Sequence, residues 1–505
     1  MFSVPDSIQD ALRRRALTEP QRILLDDGLR TLNAAELWQV IQPLRAWIQS
    51  HACKSIAIAG DNSLAWIISD LALLDLPVRV IPLPIFFSAS QIAHVLTEAG
   101  VDTLLAPAAV LQKFSAAAVH RVEILDADFD IAVARINGAP AVTDVIEYEK
   151  ITFTSGSTGT AKGVRLTLGT LEHTARAIAA ALQPLAIESH LGVLPFATLL
   201  ENIAGIYAPL LQGVRIHVRR LEQLGLASPE QFNPFLLLGE IQRVQPHASI
   251  LVPQLLLALV SLLERGVSIG TSFRFIAVGG GKVARRQLEQ ARALHLPVFE
   301  GYGLSECGSV VALNLPGADR IGSVGKPLSH CAIRIADDGE IRVRGAVMAG
   351  YLGDAESGCE EIATGDLGYL DTDGFLHVSG RKKNMFITAF GRNVNPEWVE
   401  AELLRFLPIR QVAVFGEALP RNVAIVVARN GFTQADVDAA VTECNRALPD
   451  YARVGQVVLA SEPFTGDNGL ATANGRVRRA EIEKKFGHFL VDESVPVTNS
   501  RSAEK

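Results

Sequence analysis

Helix-like and strand-like patterns alternate along the first hundred residues, and this alternation most restricts what the chain can fold into. Apolar helical stretches and β-branched runs take turns from about Asp26 to Ala108, and the pattern resumes after Ile151. Such alternation is typical of a parallel sheet whose crossover helices cover its faces. The predicted class is therefore α/β, with a large N-terminal domain of helix-covered sheets. The predicted helices are Ala35–Ile48, Ala65–Leu74, Ser90–Ala99, Leu171–Leu182, Gln254–Arg265 and Arg285–Leu294, and the predicted strands are Ser55–Ala59 and Val78–Pro82.

The pattern changes beyond Arg320. Ala332–Arg344 and Gly368–Val378 are short alternating runs that contain Asp-Gly turns, which favour antiparallel hairpins. We expect a small barrel or sheet to close the large domain there. The basic segment Gly380–Asn384 is the candidate linker, and a small α+β unit follows it. The predicted domains are 1–382 and 383–490, followed by a disordered polar tail, 491–505.

Composition excludes several classes of protein. With 505 residues, of which 49% are hydrophobic and 20% charged, the chain should be globular and contain more than one core. With a net charge of −7 and scattered basic residues, the chain lacks the positive electrostatic field that would bind a phosphate backbone, so no nucleic-acid partner is expected. The five cysteines lie far apart without CxxC pairs, as expected of reduced thiols in a cytoplasmic protein.

No targeting or membrane-spanning segment is expected. The first twenty residues contain acidic side chains and no uninterrupted apolar run, so they predict a short amphipathic helix rather than a signal peptide. The most apolar run, Leu251–Leu263, is too short to cross a bilayer. A mean hydropathy of +0.24 leaves peripheral contact with lipid open.

The strongest local motif is Thr154–Val164, T-S-G-S-T-G-T-A-K-G-V, which directly follows the β-like run Tyr148–Phe153. Its glycines let backbone amides converge, its hydroxyls add donors, and Lys162 adds a positive charge, so the loop suits a polyphosphate. Ala161 stands where a Walker loop has glycine before its lysine, which disfavours a P-loop NTPase.

A second motif is Phe299–Gly308, F-E-G-Y-G-L-S-E-C-G. Tyr302 stands between two glycines, which leaves its ring accessible for stacking on a flat base. Ser305 and Glu306 follow, and the Glu306 carboxylate suits Mg²⁺ that also contacts phosphate oxygens.

These two motifs and three later segments together resemble the adenylate-forming superfamily. The later segments are Thr364-Gly365-Asp366, Gly380-Arg381-Lys382-Lys383 and Thr472–Arg479, in that order. Members of the superfamily include acyl-CoA synthetases, fatty-acyl-AMP ligases, luciferases and nonribosomal-peptide adenylation domains. The resemblance covers the chain from about Asp27 to Arg479.

The resemblance implies a role for each matching position. The loop would wrap the β- and γ-phosphates of ATP, Asp366 would accept from the ribose hydroxyls, and Arg381 would hold the ribose and phosphate side. Glu306 would bind Mg²⁺, and Lys383 would be the hinge of a mobile small domain. The implied ATP-binding residues are Thr154, Ser155, Gly156, Ser157, Thr158, Gly159, Lys162, Gly280, Gly281, Glu300, Gly301, Tyr302, Gly303, Ser305, Asp366 and Arg381. The implied catalytic residues are Thr158, Lys162, Glu306 and Arg476.

The implied reaction has two steps. A carboxylate attacks the α-phosphorus of ATP and releases pyrophosphate, and a thiol then displaces AMP from the mixed anhydride. Both reactants of the first step are anionic, so catalysis should depend on charge neutralisation and positioning.

Three positions depart from the family pattern. Arg476 follows Asn474-Gly475 where relatives have a lysine that bridges the acid and the α-phosphate. Arginine keeps the charge but presents a longer planar fork, so activity is expected with an altered rate. Phe390 replaces a glycine in the loop that lines the thiol tunnel, and Asn384 replaces an acidic residue after the hinge.

The segment Pro195–Glu201 bears on the acid. Phe196 stands where amino-acid-activating relatives have an aspartate, so an α-ammonium would be left unpaired. A fatty or aryl acid is favoured, with Phe196, Thr198, Gly279 and Gly301 as the predicted substrate contacts. The apolar stripe that begins at Phe196 also fits ordinary helix core.

The sequence leaves the identity of the acceptor thiol open. Coenzyme A is favoured, but phosphopantetheine on an acyl carrier protein ends in the same thiol. The further alternatives are a catalytically weak nucleotide-binding relative, suggested by Arg476, and a synthetase that closes a β-lactone.

Overall fold

The computed structural model describes residues 7–114, 119–136, 145, 147–155, 161–228, 231–270, 272–354, 358–472 and 475–490. The chain divides into two compact units, Met1–Val378 and Ser379–Lys505. The domain boundary expected after residue 382 stays a prediction, and the expected tail 491–505 lies outside the described residues.

The first unit carries most of the regular structure. Its strands, with β23 running into the second unit, are β1 Ile23–Asp26, β2 Thr31–Asn33, β3 Ser55–Ala59, β4 Arg79–Leu83, β5 Thr103–Ala106, β6 Val119–Asp126, β7 Ile131–Ile136, β8 Glu149–Ser155, β9 Ala161–Thr167, β10 Ser189–Leu191, β11 Arg215–His217, β12 Leu226–Ser228, β13 Gln231–Phe232, β14 Ala248–Leu251, β15 Phe275–Val278, β16 Val298–Tyr302, β17 Ala312–Leu313, β18 Lys326–Pro327, β19 Cys331–Ile335, β20 Glu340–Gly345, β21 Gly350–Tyr351, β22 Glu361–Leu370 and β23 Leu376–Arg381. Its α-helices are α1 Ile8–Thr18, α2 Ala34–Ser50, α3 Leu64–Leu73, α4 Ala89–Glu98, α5 Ala108–Leu111, α6 Leu168–Leu182, α7 Ala208–Gln212, α8 Pro234–Val244, α9 Pro253–Glu264 and α10 Arg285–Ala293. Short 3₁₀ turns are Gln183–Leu185 and Ser305–Cys307, and Glu201–Tyr207 is a π-helix.

Two large mixed sheets organise this unit. One has the strand order β21-β9-β8-β4-β3-β5-β7-β6, and the other has the order β18-β17-β16-β15-β14-β10-β11-β1-β2. Their centres are parallel, as the alternating pattern predicts, and their edges are antiparallel. Every residue of β3 is buried, as expected for a central strand covered on both faces.

Local sequence explains where the predicted helices begin. The side chain of Asn33 accepts from the backbone N–H of Glu36, and the side chain of Glu36 accepts from that of Asn33, so a capping box starts α2. At α3 the Ser63 side chain accepts from the Trp66 amide without a reciprocal bond, and every residue of α3 is buried. The helix expected in the first twenty residues is α1, which also begins with a capping box.

The region beyond residue 320 is an antiparallel sheet. The strand order β19-β20-β22-β23 is open, so of the two expected forms, a small barrel or a sheet, the structure has the four-stranded sheet. Gly339 and Gly374, the glycines of the two predicted Asp-Gly turns, both have positive φ, which glycine adopts without steric cost. Separately, β12 and β13 form a two-stranded sheet.

The second unit is a small α+β structure. Its strands are β24 Phe386–Ile387, β25 Asn393–Val394, β26 Ile409–Phe415, β27 Asn422–Ala428 and β28 Val454–Leu459, and its helices are α11 Pro396–Leu403, α12 Gln434–Ala447 and α13 Arg479–Phe486, with 3₁₀ turns at Asp450–Ala452 and Gly487–Phe489. The order β26-β27-β28 forms its main sheet. Buried residues of β26, β27, α11 and α12 make its core.

In the ranges that the structure describes, none of the helices has both the length and the apolar character needed to span a bilayer.

The ion pair of a buried glutamate in the second unit gives a stability prediction. Arg479 donates to the carbonyl of Val414 at 2.9 Å and pairs with Glu400, whose Oε1 accepts from the Val414 amide at 2.6 Å. Burial raises the pKa of Glu400. Arg479→Met should destabilise this unit by about 3 kcal/mol, because it leaves a buried carboxylate unpaired. Hydrogen exchange of the β26 and β27 amides measures the loss.

The matched control is Arg446→Met. Its partner is Glu443 on the same helix, and both side chains are more than half exposed. Exposed pairs contribute little, so this variant should exchange like the unaltered protein. Equal effects of the two substitutions would contradict the assigned role of Arg479.

Candidate functional site

The predicted phosphate loop joins two paired strands. Ser155 ends β8 and Ala161 begins β9, and Thr154 lies opposite Lys162 in the antiparallel register. The predicted loop residues Gly156, Ser157, Thr158 and Gly159 lie outside the described residues. What the structure describes is therefore the hairpin that brings Thr154 and the exposed Lys162 to the two ends of that loop.

Tyr351 connects Lys162 with Glu306. The Lys162 ammonium lies 5.3 Å from the centroid of the Tyr351 ring. The Tyr351 hydroxyl donates to Glu306 Oε1 at 3.1 Å. Burial and the nearby Glu306 carboxylate raise the pKa of Tyr351, so the hydroxyl stays protonated at neutral pH. The Tyr351 side chain thus contacts both a cation and a carboxylate that lie far apart in the sequence.

Backbone pairing holds these three residues. Tyr351 on β21 pairs with Val164 on β9, two residues beyond Lys162. The amide of Met348 donates to the carbonyl of Glu306 at 2.8 Å. The segment that carries Tyr351 is therefore bonded both to the loop hairpin and to the turn that carries Glu306.

Tyr302 and Asp366 form a second contact. The Tyr302 hydroxyl donates to Asp366 Oδ2 at 2.6 Å. Asp366 is buried, and its amide donates to Thr364 Oγ1 at 3.1 Å, while Thr364 donates to the Ile341 carbonyl at 2.8 Å. The predicted base-stacking tyrosine and the predicted ribose carboxylate, which come from separate motifs, are thus in direct contact.

The turn after Tyr302 depends on glycine. A Cβ on Gly303 would lie 1.5 Å from the carbonyl oxygen of Ser309, so no side chain fits there. The 3₁₀ turn Ser305–Cys307 closes with Gly308, whose φ is +66°. Ser305 and Glu306 remain partly exposed on this turn.

The glycine loop after β15 lies against Gly301. A Cβ on Gly279 would approach the Gly301 carbonyl oxygen to 3.4 Å. Gly280 has a φ of +79°, and Gly280 and Gly281 are exposed. The loop around Gly279 and the strand at Gly301, both predicted to contact ligand, are therefore neighbours, with backbone rather than side chains between them.

Glu300 is buried in the middle of β16, at 6% exposure. Burial raises its pKa to about 7, against the opposing charge of Lys282. Lys282 follows the glycine loop and donates to the carbonyl of Val378 at 3.0 Å. Glu300 therefore changes its charge near neutral pH.

The predicted acid-binding residues occupy a different segment. Phe196 is 1% exposed, its ring lies 5.9 Å from that of Trp66, and its amide donates to Asn62 Oδ1 at 2.8 Å. Thr198 donates to the Pro195 carbonyl at 2.6 Å. These contacts are those of a packed, capped turn, and the role of Phe196 and Thr198 toward a substrate stays a prediction.

The remaining predicted site residues belong to β23 and the second unit. Arg381 ends β23 and is partly buried, while Lys383 is exposed. Arg476 is exposed, and its amide donates to Thr472 Oγ1 at 3.1 Å. Phe390 is 75% exposed. The hinge role of Lys383 and the phosphate role of Arg476 stay predictions.

Sequence reasoning missed Tyr351. Its signal is the run Gly350-Tyr351-Leu352-Gly353, which places an aromatic between glycines much as the Tyr302 segment does. Among the described residues, no cluster of three or more His, Cys, Asp or Glu side chains is arranged to hold a metal ion by itself. A metal site at Glu306 would thus need oxygens from a bound phosphate, which is the usual coordination of Mg²⁺.

Comparison with known proteins identifies relatives along most of the chain. Residues 12–352 match the family described as AMP-binding enzyme, and residues 383–491 match the AMP-binding enzyme C-terminal domain. The long-chain-fatty-acid–CoA ligase FadD15 of Mycobacterium tuberculosis is 27% identical over 85% of this chain and 86% of its own length. The 2-succinylbenzoate–CoA ligase of Bacillus subtilis is 28% identical over 80% of this chain and 84% of its own.

Solved structures share the fold. The o-succinylbenzoate CoA synthetase of Bacillus subtilis, in complex with the acyl-adenylate OSB-AMP, aligns with a TM-score of 0.74 at 24% identity, covering 94% of this chain and 97% of that one. The anthranilate CoA ligase AuaEII, in complex with anthranoyl-AMP, aligns with a TM-score of 0.77 at 16% identity over 95% and 97%. The mixed α/β architecture, with a large first unit and a smaller second one, is thereby confirmed.

The raised pKa of Glu300 predicts a pH-dependent stability. Between 4.5, the ordinary value, and about 7, the folded protein keeps a proton that the unfolded chain has lost, so stability falls as pH rises through this window. The glutamine of Glu300→Gln does not ionise, so this variant does not lose stability in that window. Relative to the unaltered protein, its unfolding free energy should therefore gain about 3 kcal/mol between about pH 4.5 and about pH 8.

Denaturant unfolding at several pH values measures this difference. Glu289→Gln is the control, since Glu289 lies on the exposed face of α10 in a solvated pair with Arg285. Its difference from the unaltered protein should stay level across the same range. A level difference for Glu300→Gln as well would show that Glu300 ionises normally.

Proposed function

This chain belongs to the AMP-binding enzyme family, and from that premise we propose that it activates a carboxylic acid with ATP and transfers the acyl group to coenzyme A. The first step forms an acyl-adenylate and pyrophosphate, and the second forms a thioester and AMP. The relatives named above are CoA ligases, one for long-chain fatty acids and one for 2-succinylbenzoate. An apolar acid, fatty or aryl, is the proposed substrate.

One observation carries this proposal. Glu306 is joined through Tyr351 to Lys162 at the phosphate loop, while Tyr302, on the same segment as Glu306, is joined to Asp366. The segment from Tyr302 to Glu306 is thus connected at one end to the Tyr302–Asp366 pair, which suits a base and a ribose. At its other end it is connected to Lys162, which suits phosphates. A nucleoside triphosphate is the ligand whose phosphates would contact Lys162 while its base and ribose contact the Tyr302–Asp366 pair.

The chain's own residues supply charge and position for the first step. Lys162 would attract the β- and γ-phosphates, and the Tyr351 hydroxyl would hold Glu306 in one orientation. Asp366 suits the ribose diol, because a carboxylate accepts two hydrogen bonds. Bound at Glu306, Mg²⁺ would neutralise phosphate oxygens. Exclusion of water and fixed positioning then favour attack of the acid on the α-phosphorus, with pyrophosphate as leaving group.

The second step needs a thiol at the acyl carbon. The thiol would lose its proton to water and its sulfur would bond to the carbonyl carbon. The bond from that carbon to the phosphate oxygen would break, and AMP would leave with the electron pair. We propose that the second unit, with its hinge at Lys383 and its arginine at position 476, moves between the two steps.

A pyrophosphate-release assay tests the function. With ATP, Mg²⁺ and a panel of fatty and aryl acids, we expect acid-dependent release, and thioester on addition of CoA. Glu306→Ala should lower release about a hundredfold and raise the Mg²⁺ requirement, because it removes the proposed metal carboxylate.

Glu264→Ala, an exposed change at the end of α9, is the control and should behave like the unaltered enzyme. Release without any acid dependence would contradict the proposed function, and an unchanged Mg²⁺ response in Glu306→Ala would remove only the metal assignment. Thioester formation on an acyl carrier protein but not on CoA would correct the acceptor.

Arg476 has a separate test. If it bridges the acid and the α-phosphate, Arg476→Lys should preserve or raise the rate of pyrophosphate release, since lysine brings the same charge on a compact head. Arg478→Lys, two residues away, controls for general effects in this segment. A large loss in Arg476→Lys alone would mean that the site is built around the guanidinium.

A further inference from the structure

The segment that follows the predicted acid-binding turn is a π-helix. It runs from Glu201 to Tyr207, directly after the turn that contains Phe196 and Thr198. Such helices are rare, because their wider turns pack less well, and they occur often at functional sites. Six of its seven residues are buried, Ala204 being the exception, and three of the buried ones are polar: Glu201, Asn202 and Tyr207.

Glu201 ties the first turn of this π-helix to its surroundings. Its Oε1 lies 3.0 Å from His190 Nε2 on β10, and its Oε2 accepts from the Leu194 amide at 3.1 Å. A Cβ on Gly205 would come within 2.2 Å of Glu201 Oε1, so the carboxylate folds back over a glycine. The start of the π-helix is therefore bonded to the beginning of the acid-binding turn.

Lys150 ties the rest of the π-helix to two other elements. Its ammonium donates to Asp70 Oδ1 at 2.8 Å, to Asn202 Oδ1 at 2.7 Å and to the Tyr207 hydroxyl at 2.7 Å. Asp70 Oδ2 accepts from Asn202 at 2.8 Å and from Tyr207 at 2.6 Å. All three ammonium protons are thus used, and both carboxylate oxygens accept.

This cluster is completely enclosed. Lys150 is 0% exposed and Asp70 is 1% exposed. A buried ion pair seldom adds much net stability, because desolvation offsets the attraction. A fully satisfied buried network does, however, fix a single arrangement of the elements that it joins. Here those elements are α3, the π-helix, and β8, whose other end leads into the phosphate loop.

We propose that Lys150 is a positioning residue: with Asp70 it fixes the π-helix, and through it the turn around Phe196, relative to the strand that carries the phosphate loop. The inference rests on the proposed acid-activating function and deepens it. The acid, held by the turn, is the reactant whose position depends on this network. The position of the nucleotide does not depend on this network, because β8 is also held by its own pairing with β4 and β9.

The test removes the network without leaving a buried charge. The double variant Asp70→Asn/Lys150→Met should lose about ten- to a hundredfold in kcat/KM for the acid, since small misplacements of a reactant are costly. Its KM for ATP should stay within about twofold of the unaltered enzyme. Hydrogen exchange of residues 194–207 should accelerate, because the anchors of the π-helix are gone.

The matched control is Arg219→Met/Glu240→Gln. Arg219 is also buried and pairs with Glu240 at 2.8 Å, but its hydrogen bonds go to the Asp26 and Val218 carbonyls, away from the π-helix. Both double variants should be less stable, and only the Lys150 variant should lose acid kcat/KM. Equal kinetic losses in the two, or a matching rise in KM for ATP, would overturn the inference.

A milder variant decides the case if the double variant does not fold. Tyr207→Phe removes one hydroxyl and leaves the ion pair, and it should lower acid kcat/KM several-fold without changing KM for ATP. Unchanged acid kinetics in Tyr207→Phe together with faster exchange in 194–207 would make the network structural only. Absence of acid-dependent pyrophosphate release by the unaltered enzyme would overturn the proposed function, and the inference with it.

Discussion

The hydrogen bond from the Tyr351 hydroxyl to Glu306 joins parts of the site that the sequence keeps far apart. Lys162, Glu306 and Tyr351 come from three separate segments, and the strand pairing of β21 with β9 brings them together. A carboxylate near a cation would ordinarily approach it directly and neutralise it. With a tyrosine between them, Glu306 is oriented by a neutral donor, and the Lys162 ammonium rests on the ring face. Both charges thus remain suited to a ligand rather than to each other.

Around this cluster the backbone is fixed by buried polar side chains rather than by apolar packing alone. Asn314 is 1% exposed, donates to the carbonyls of Glu300 and Ser323, and accepts from the Arg320 amide. Its own amide donates to the Glu300 carbonyl as well. The strand β16, which carries Tyr302, is therefore bonded to the loop that connects β17 with β18. Such networks cost conformational freedom but leave the site with one geometry before any ligand arrives.

Much of the fold follows from patterns that act locally. The strand Ser55–Ala59 and the helix Leu171–Leu182 are found close to their predicted bounds, because apolar periodicity and capping residues decide such elements over a few residues. The sequence could not decide between a small barrel and an open sheet beyond residue 320, since closure depends on strand register over the whole sheet. The π-helix was missed for a related reason: its apolar stripe fits an ordinary helix, and the wider turn comes from buried partners distant in sequence. Within the site, the motifs singled out Tyr302 and Asp366 but did not predict that they contact each other, whereas Tyr351 carried only a glycine-flanked aromatic as its signal.

The β8–β9 hairpin shows why the chemical role of a lysine cannot be taken from its type. Lys150 near the start of β8 faces Leu166, and Lys162 faces Thr154 near the loop end, so the two lysines lie at opposite ends of one hairpin. Lys150 is enclosed and has all its protons bonded inside the protein, while Lys162 is exposed beside the loop. Burial lowers the pKa of Lys150, and Asp70 opposes that effect. The same strand pair thus carries one lysine whose protons are bonded inside the protein and a second lysine that is available to a phosphate. Because both lysines lie on this strand pair, the π-helix and the two ends of the phosphate loop are attached to the same two strands.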